Sequence, residues 1–300
     1  MGATPTTPPS SPPRIGGPGG PAITAAVLAR DEARFIGPCL ASLAWADALL
    51  VLVDDRTADA TAAVARQHGA RVCVVPFESF PRFRNRALAL AETEWVFFVD
   101  ADERVPPALA AEARAAVARA ARDGTAGYWV PRRNRIRGRW VRGAGWSPDY
   151  QLRLLRRTAA RYAPDGLVHE VAALDGPAGW LREPLVHLNY DTLGEFVTKQ
   201  RRYAALEAWT RWRQGERVRA RAFVGQPARE FWRRYVTLGG YRDGALGLLL
   251  AAYLGYAAWL RTRRLARLWR TRGAPTAAGA AIRQPAVVPG AAPNAGRSAG

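Results

Sequence analysis

Short apolar runs alternate with helix-period segments through the first third of the chain. Ile23–Ala29, Ala48–Val53, Arg71–Val75 and Trp95–Val99 are five to seven residues long and bounded by polar positions, which predicts buried strands. Between them, Ala33–Leu43, Ala58–Gln67 and Arg84–Ala91 have apolar residues at helical spacing. Regular alternation of this kind predicts βαβ units and a parallel, doubly wound α/β sheet. From Gly127 to His187 the pattern breaks into short strand-like pieces interrupted by Gly and Pro, and helical periodicity returns from Thr192.

Ligands of such sheets sit outside the carboxyl ends of the strands, so the polar residues that end each strand are the ones to inspect. They are Asp31 and Glu32, Asp54 and Asp55, and Asp100, Asp102 and Glu103. In Trp95-Val-Phe-Phe-Val-Asp-Ala-Asp-Glu103 a buried strand runs straight into three carboxylates. Crowded carboxylates repel one another and are costly to desolvate without a cation or hydrogen-bond donors among them. A divalent ion, Mg²⁺ or Mn²⁺, suits oxygen ligands and neutralises a diphosphate, which makes Asp102 and Asp100 the expected metal site. A solvated acidic turn is the plainer alternative.

Composition sets the frame around this core. The chain of 300 residues with 49% hydrophobic content is long enough for one large domain with a smaller appendage. Residues 1–21 and 273–300 are rich in Pro, Gly, Ala, Ser and Thr and are expected to be disordered tails. The remainder divides into an expected nucleotide-binding domain over 22–190 and a basic helical region over 191–272. The net charge of +19 is uneven: Lys199 to Arg272 carries 18 basic and 4 acidic residues. Such an excess favours an anionic surface as neighbour.

Within that region Ala245–Leu260 is an apolar run of about 16 residues, short of the ~18 to 20 expected of a spanning helix. Arg261, Arg263, Arg264, Arg267 and Arg270 follow it, interleaved with Leu265, Leu268 and Trp269. A helix lying in or re-entering an anionic membrane interface fits this pattern, and a core helix with a solvated basic end is the alternative. Aromatic and arginine mixtures also suit nucleic acid, but that reading leaves the carboxylate strand ends unexplained. Cys39 and Cys73 lack CxxC or Cys/His spacing and are expected to be small buried hydrophobes. The first residues have no apolar stretch of the kind that directs export, and a cytoplasmic protein is expected.

Several segments together resemble one family. Thr24-Ala-Ala-Val-Leu-Ala-Arg-Asp-Glu32 is similar to a first strand ending in Asn-Glu, with Asp31 where Asn is usual. Val51-Leu-Val-Asp-Asp-Arg-Thr-Ala-Asp-Ala-Thr61, the pair Arg84-Asn85, and the Asp100-Ala-Asp102 strand follow in the same order. Downstream come Gly145-Trp-Ser-Pro-Asp-Tyr-Gln-Leu-Arg-Leu-Leu-Arg-Arg157, Val168-His-Glu170, Thr198-Lys-Gln-Arg-Arg-Tyr-Ala204 and Gly240-Tyr-Arg-Asp-Gly244. Over about residues 22–265 the chain resembles the inverting family 2 glycosyltransferases of the GT-A fold, in their lipopolysaccharide-core glucosyltransferase-like branch.

That resemblance implies site roles. Glu32, Asp54, Asp59, Arg84 and Asp100 fall on nucleotide-contacting positions, and Asp102 with Asp100 on the metal site. Asp149 falls on the catalytic base, with Glu170 as its competitor, and Arg153 and His169 on acceptor or diphosphate contacts. Asp59 could instead cap the helix that Thr61 opens. The resemblance further implies transfer of a hexose or heptose from a nucleotide-diphosphate donor, UDP by expectation, to a lipid-linked glycan such as lipopolysaccharide core. It places the protein on the cytoplasmic face of a bacterial inner membrane, peripheral or monotopic, with an anionic membrane surface and no nucleic acid as partners. A catalytically idle membrane-binding or scaffold protein of the same fold is the alternative.

Overall fold

A computed structural model describes residues 21–163, 171–190 and 192–275. In chain order the elements are β1 Ile23–Ala29, α1 Ala33–Ala41, β2 Ala48–Asp54, α2 Thr61–Gln67, β3 Arg71–Val75, α3 Phe80–Leu90, β4 Trp95–Asp100, β5 Glu103–Arg104 and α4 Pro107–Asp123. They continue with β6 Gly127–Ile136, β7 Arg139–Trp140, β8 Tyr150–Arg156, β9 Ala160–Arg161, β10 Ala173–Leu174, β11 Ala178–Trp180 and β12 Leu185–Tyr190. Last come α5 Leu193–Arg213, α6 Ala222–Trp232, a π-helical turn Arg233–Thr237, a 3₁₀ turn Gly240–Asp243 and α7 Gly244–Arg272.

The chain forms two compact units, Met1–Val130 with Leu152–Glu183, and Pro131–Gln151 with Pro184–Gly300. Where the sequence suggested one boundary near residue 190, the chain changes unit three times, and Pro131–Gln151 goes with the helices.

In the first unit β3, β2, β1 and β4 run parallel in that order, with β8 antiparallel to β4. Val27 pairs with Val51 on one side and Val99 on the other. All seven residues of β1 are buried, as a parallel strand covered on both faces requires. Phe83, Phe98, Leu155 and Tyr162 belong to the core on one face of this sheet. The sequence-predicted β1 and β3 coincide with the observed strands. Helix α3 starts four residues earlier than its periodicity suggests, because the Ser79 hydroxyl accepts from the Arg82 amide and Pro81 sits in the first turn. Helix α4 escaped the sequence reading, although Pro106 before it, Pro107 at its first position and Gly124 after it are ordinary start and stop signals.

In the second unit β12 runs parallel to the later part of β6, with His187 opposite Asn134. Thr192 and Glu195 form a reciprocal capping box at the start of α5, where helical periodicity was expected to return. Along α7, Leu246, Leu250, Leu254, Ala258, Thr262 and Leu265 are buried at helical spacing. Leu246, Leu250 and Leu254 pack with Ile136, Tyr190 and Phe196, and Leu265 with Trp209 and Trp212. The Arg261–Glu207 ion pair at 2.7 Å joins α7 to α5. By length and composition Gly240–Arg272 could cross a membrane, yet 44% of its most apolar stretch is buried inside the protein. Leu248, Leu249 and Tyr256 are exposed.

Gly247 makes the start of α7 possible, since a Cβ there would overlap the carbonyl of Gly240. Gly143 has the same relation to Gly239. Gly225 in α6 has open space around it. Gly247→Ala is therefore expected to lower stability by about 1–3 kcal/mol in urea denaturation, with Gly225→Ala neutral or slightly stabilising.

Candidate functional site

The strand ends of the first unit gather most of the acids singled out in the sequence. Asp54, the last residue of β2, is fully buried. Arg56 forks onto it, with Nε donating to Oδ1 at 2.9 Å and Nη2 to Oδ2 at 2.7 Å, and the Arg56 amide donates to Oδ1 at 2.9 Å. Burial pushes this carboxyl up, but the hydrogen bonds and charge of Arg56, joined by Arg30, outweigh it and hold Asp54 below the usual carboxylate range.

The turn after β1 is shaped by its own acids. Asp31 adopts a left-handed conformation with φ of 54°, which Asn and Asp tolerate best among residues with a side chain, so its place in an Asn position is physically reasonable. Its Oδ1 accepts from the Ala58 amide at 2.8 Å. The Glu32 amide donates to Thr61 Oγ1 at 2.8 Å. Asp59 does more than cap one helix: Oδ2 accepts from Ala33 at the start of α1, and Oδ1 accepts from the Thr61 amide, both at 2.9 Å. Desolvation raises the Asp59 carboxyl, and these bonds with that of the Thr61 hydroxyl bring it below its ordinary value.

Arg84 on α3 lies over the ring of Tyr162, 5.4 Å from its centroid, and is 6.0 Å from that of Phe98. Its neighbour Asn85 clamps the Tyr162 backbone in both directions, at 2.8 and 2.9 Å. The conspicuous Arg-Asn pair thus includes one residue that fixes the chain after β9.

At the end of β4, Arg153 is the organising charge. Its Nη1 donates to Asp100 Oδ1 at 3.2 Å, its Nη2 to Asp100 Oδ2 and to Glu103 Oε1, the latter at 3.0 Å. Glu103 Oε2 accepts from the Asp100 amide at 2.9 Å. Arg153 is 3% exposed and Glu103 0%, so this is a buried triad, with Asp100 at its open edge. Burial alone would lower the guanidinium, and the two carboxylates overcome that and raise it. Asp102 is half-buried beyond the triad. Among the described residues no three His, Cys, Asp or Glu side chains gather as a metal cluster. The carboxylates of Asp100 and Asp102 still fit a hard dication that takes its other oxygens from phosphates and water. Cys39 is buried, with its thiol 3.5 Å from the Asp100 carbonyl and pushed up by burial, and serves as the small core residue expected of it.

The second unit holds Asp149, which is 2% exposed. Arg132 donates to its Oδ2 through Nε at 2.8 Å and pairs through Nη2 at 2.7 Å. Asn134 Nδ2 reaches the same oxygen at 3.2 Å, and Gln151 Nε2 donates to Oδ1 at 2.8 Å. Burial raises the Asp149 carboxyl, and Arg132, Gln151 and Asn134 more than reverse this, leaving it lowered and ionised at neutral pH. Asn134 is in turn oriented by buried His187, whose Nδ1 lies 2.7 Å from Asn134 Oδ1. That is the hydrogen-bonded structural histidine that a lone His most often is.

Asp149 lines a cavity of ≈ 350 Å³ with Arg132, Trp146, Asn189 and residues of α5 and α7. The turn carrying Trp146 is pinned from below: both Asp243 carboxylate oxygens accept from the Arg142 amide at 2.9 and 3.1 Å, and Arg234 Nη1 donates to the Ala144 carbonyl at 2.7 Å. Glu170 and His169 lie outside the described residues. Sequence reasoning missed Arg132 and Asn134. They alternate with exposed Arg133 and Arg135 on β6, so both faces of that strand are polar and no apolar period marks the buried one.

Replacing Arg153 by Met would leave Asp100 and Glu103 without their counter-charge. A loss of about 3–5 kcal/mol in chemical denaturation at neutral pH is expected, against less than about 1 kcal/mol for the exposed Arg82→Met.

Residues 24–172 match the model of Glycosyl transferase family 2. The lipopolysaccharide core biosynthesis glycosyltransferase LpsC of Rhizobium meliloti (strain 1021) is 29% identical over 240 residues, 76% of this chain and 86% of that protein. Among solved structures, glucosyl-3-phosphoglycerate synthase from Mycobacterium tuberculosis, in complex with Mn²⁺, UDP and glucosyl-3-phosphoglycerate, is 21% identical with a TM-score of 0.41, covering 59% of this chain and 75% of that one. TarS 1-349 of S. aureus is 14% identical with a TM-score of 0.42, covering 83% and 91%. With its parallel sheet, its acidic strand ends and this match, residues 24–172 form a family 2 glycosyltransferase domain.

Proposed function

We propose that this glycosyltransferase moves a hexose or heptose from a nucleoside-diphosphate donor to a lipid-linked glycan, by a single displacement that inverts the anomeric centre. The observation that carries the reading is Asp149: one buried, ionised carboxylate at the wall of a ligand-sized cavity. Its Oδ2 is occupied by Arg132 and Asn134, whereas among the described residues Oδ1 accepts one bond, from Gln151, and has capacity for a proton.

In the proposed step the acceptor hydroxyl gives its proton to Asp149 Oδ1 as its oxygen bonds to the anomeric carbon. The bond from that carbon to the diphosphate breaks, and the nucleoside diphosphate leaves with the electron pair. Arg132, Asn134 and Gln151 hold the base in one orientation. Glu170 remains the competing base.

On the donor side, Asp54 and Glu32 suit hydrogen-bonding donors on the base and ribose, and Arg84 suits a phosphate. Asp59 reaches the nucleotide through the turn it ties together. Asp100 and Asp102 would hold Mg²⁺ or Mn²⁺, which supplies neutralisation of the departing diphosphate. Arg153 holds Asp100 in place for that role, and its own burial makes it a positioning residue rather than an acceptor contact.

A lipid-linked acceptor requires a surface, and the second unit offers one. Val224, Trp232, Val236, Tyr241, Leu248 and Leu249 are exposed on α6, α7 and the turns between, in the region where basic residues dominate. This supports peripheral or monotopic docking to anionic lipid, on the cytoplasmic face for an enzyme that uses nucleotide sugars. The similarity to LpsC favours lipopolysaccharide core as the acceptor class.

Release of nucleoside diphosphate from a panel of nucleotide sugars with membrane extract tests the reaction. Turnover is expected to require Mg²⁺ or Mn²⁺ and to vanish in Asp102→Asn; turnover that survives chelation and this variant would refute the metal assignment. Asp149→Asn is expected to cut kcat by about 10²–10⁴. Because Arg132 helps lower the Asp149 carboxyl, Arg132→Gln should move the acid limb of kcat/KM upward by about 1–3 pH units, losing activity first on the acid side.

Sedimentation with vesicles tests the docking. Binding should be stronger to anionic than to zwitterionic lipid and weaken with salt. A Val224→Ser/Trp232→Ser double variant should bind roughly tenfold more weakly.

A further inference from the structure

The charge balance of the cavity says something about what enters it. Besides the Arg132–Asp149 pair, its wall carries the guanidiniums of Arg211, Arg233, Arg234 and Arg261 against only two carboxylates, Glu207 and Glu230. Arg261 is matched by Glu207 at 2.7 Å. Glu230 serves both Arg233 and Arg234, each at 2.8 Å. Arg211 finds its carboxylate in Glu216, which is not part of this wall, and reaches it through Nη1 alone. The wall thus holds two more guanidiniums than carboxylates.

These arginines differ in what they can still offer. The Arg234 side chain is only 16% exposed, with Nε donating to Glu230 and Nη1 to the Ala144 carbonyl. Arg233 and Arg211 are 43% and 33% exposed, and each keeps nitrogens that no group among the described residues uses. Leu254, Ala257 and Ala258 give the cavity an apolar patch on which a ring can rest.

We propose that this cavity recognises its acceptor through an anionic group, a carboxylate or phosphate on the sugar that bears the accepting hydroxyl or on the next one, held by Arg211 and Arg233. The inference rests on the transferase reading above and names the acceptor class for it. A guanidinium binds either group as a two-toothed fork. A neutral glycan would offer the remaining nitrogens of those arginines no charged partner, so discrimination comes from the anion's attraction to them.

Ligand-observed NMR titration of the whole protein, without donor, tests this with three probes: a hexuronate, a hexose 6-phosphate and a neutral methyl hexoside. At least one anionic probe is expected to bind about tenfold or more tightly than the neutral one. A preference for hexuronate or for hexose phosphate tells which anion is used, and either supports the proposal. Arg211→Gln and Arg233→Gln should each weaken the anionic probe about fivefold or more, with Lys at either position recovering part of it. Arg122→Gln, on exposed α4, should change nothing. Equal affinity for all three probes, no binding of any, or the same loss in Arg122→Gln would overturn the proposal, the last showing attraction to net charge alone. The wild-type comparison stands even if a variant fails to fold. Since no turnover is measured, failure here is distinct from absence of nucleoside diphosphate release, which would instead refute the transferase chemistry.

Discussion

A carboxylate taken out of water needs a counter-charge or several donors, and this requirement organises the buried acids among the described residues. Asp54 is buried because Arg56, two residues on, folds back over it. Asp100 and Glu103 share Arg153, and Asp149 has Arg132. Arg153 lies on β8, and Asp149 stands immediately before that strand, so one short segment carries the counter-charge of one acidic group and the central acid of the other. The fold thus keeps several acids ionised at low exposure, the condition for a carboxylate to bind cations or accept protons without being lost to solvent.

The first unit was largely legible because its signals are local. Four apolar runs separated by helical periods specify a parallel sheet, and the strand ends then point to Glu32, Asp54, Asp100 and Asp102 with no further information. Boundaries moved where capping chemistry overrode periodicity, as at Ser79. The role of Asp59 was open between capping and binding, and its carboxylate ties the starts of two helices through contacts 26 residues apart, which no local pattern encodes.

The second unit was less legible for a physical reason. Its polar core is assembled from β6, β12 and the turn before β8, whose partners are separated by 15 to 55 residues and whose strands are polar on both faces. Arg132 and Asn134 therefore looked like any others in an arginine-rich run. Helix α7 is core on one side, set by Gly247 and the Leu246–Leu250–Leu254 stripe, with Leu248, Leu249 and Tyr256 facing outward. A basic composition that looked like one property divides into ion pairs within the unit, a surplus at the cavity, and an exposed remainder.

The central proposal is a single displacement with Asp149 as the base. The most direct test is the anomeric configuration of the product formed from an α-linked nucleotide sugar, read by the proton coupling at the new glycosidic bond in NMR. A β-linked product is predicted. An α-linked product would require two displacements or front-face attack, and would contradict the role assigned to Asp149.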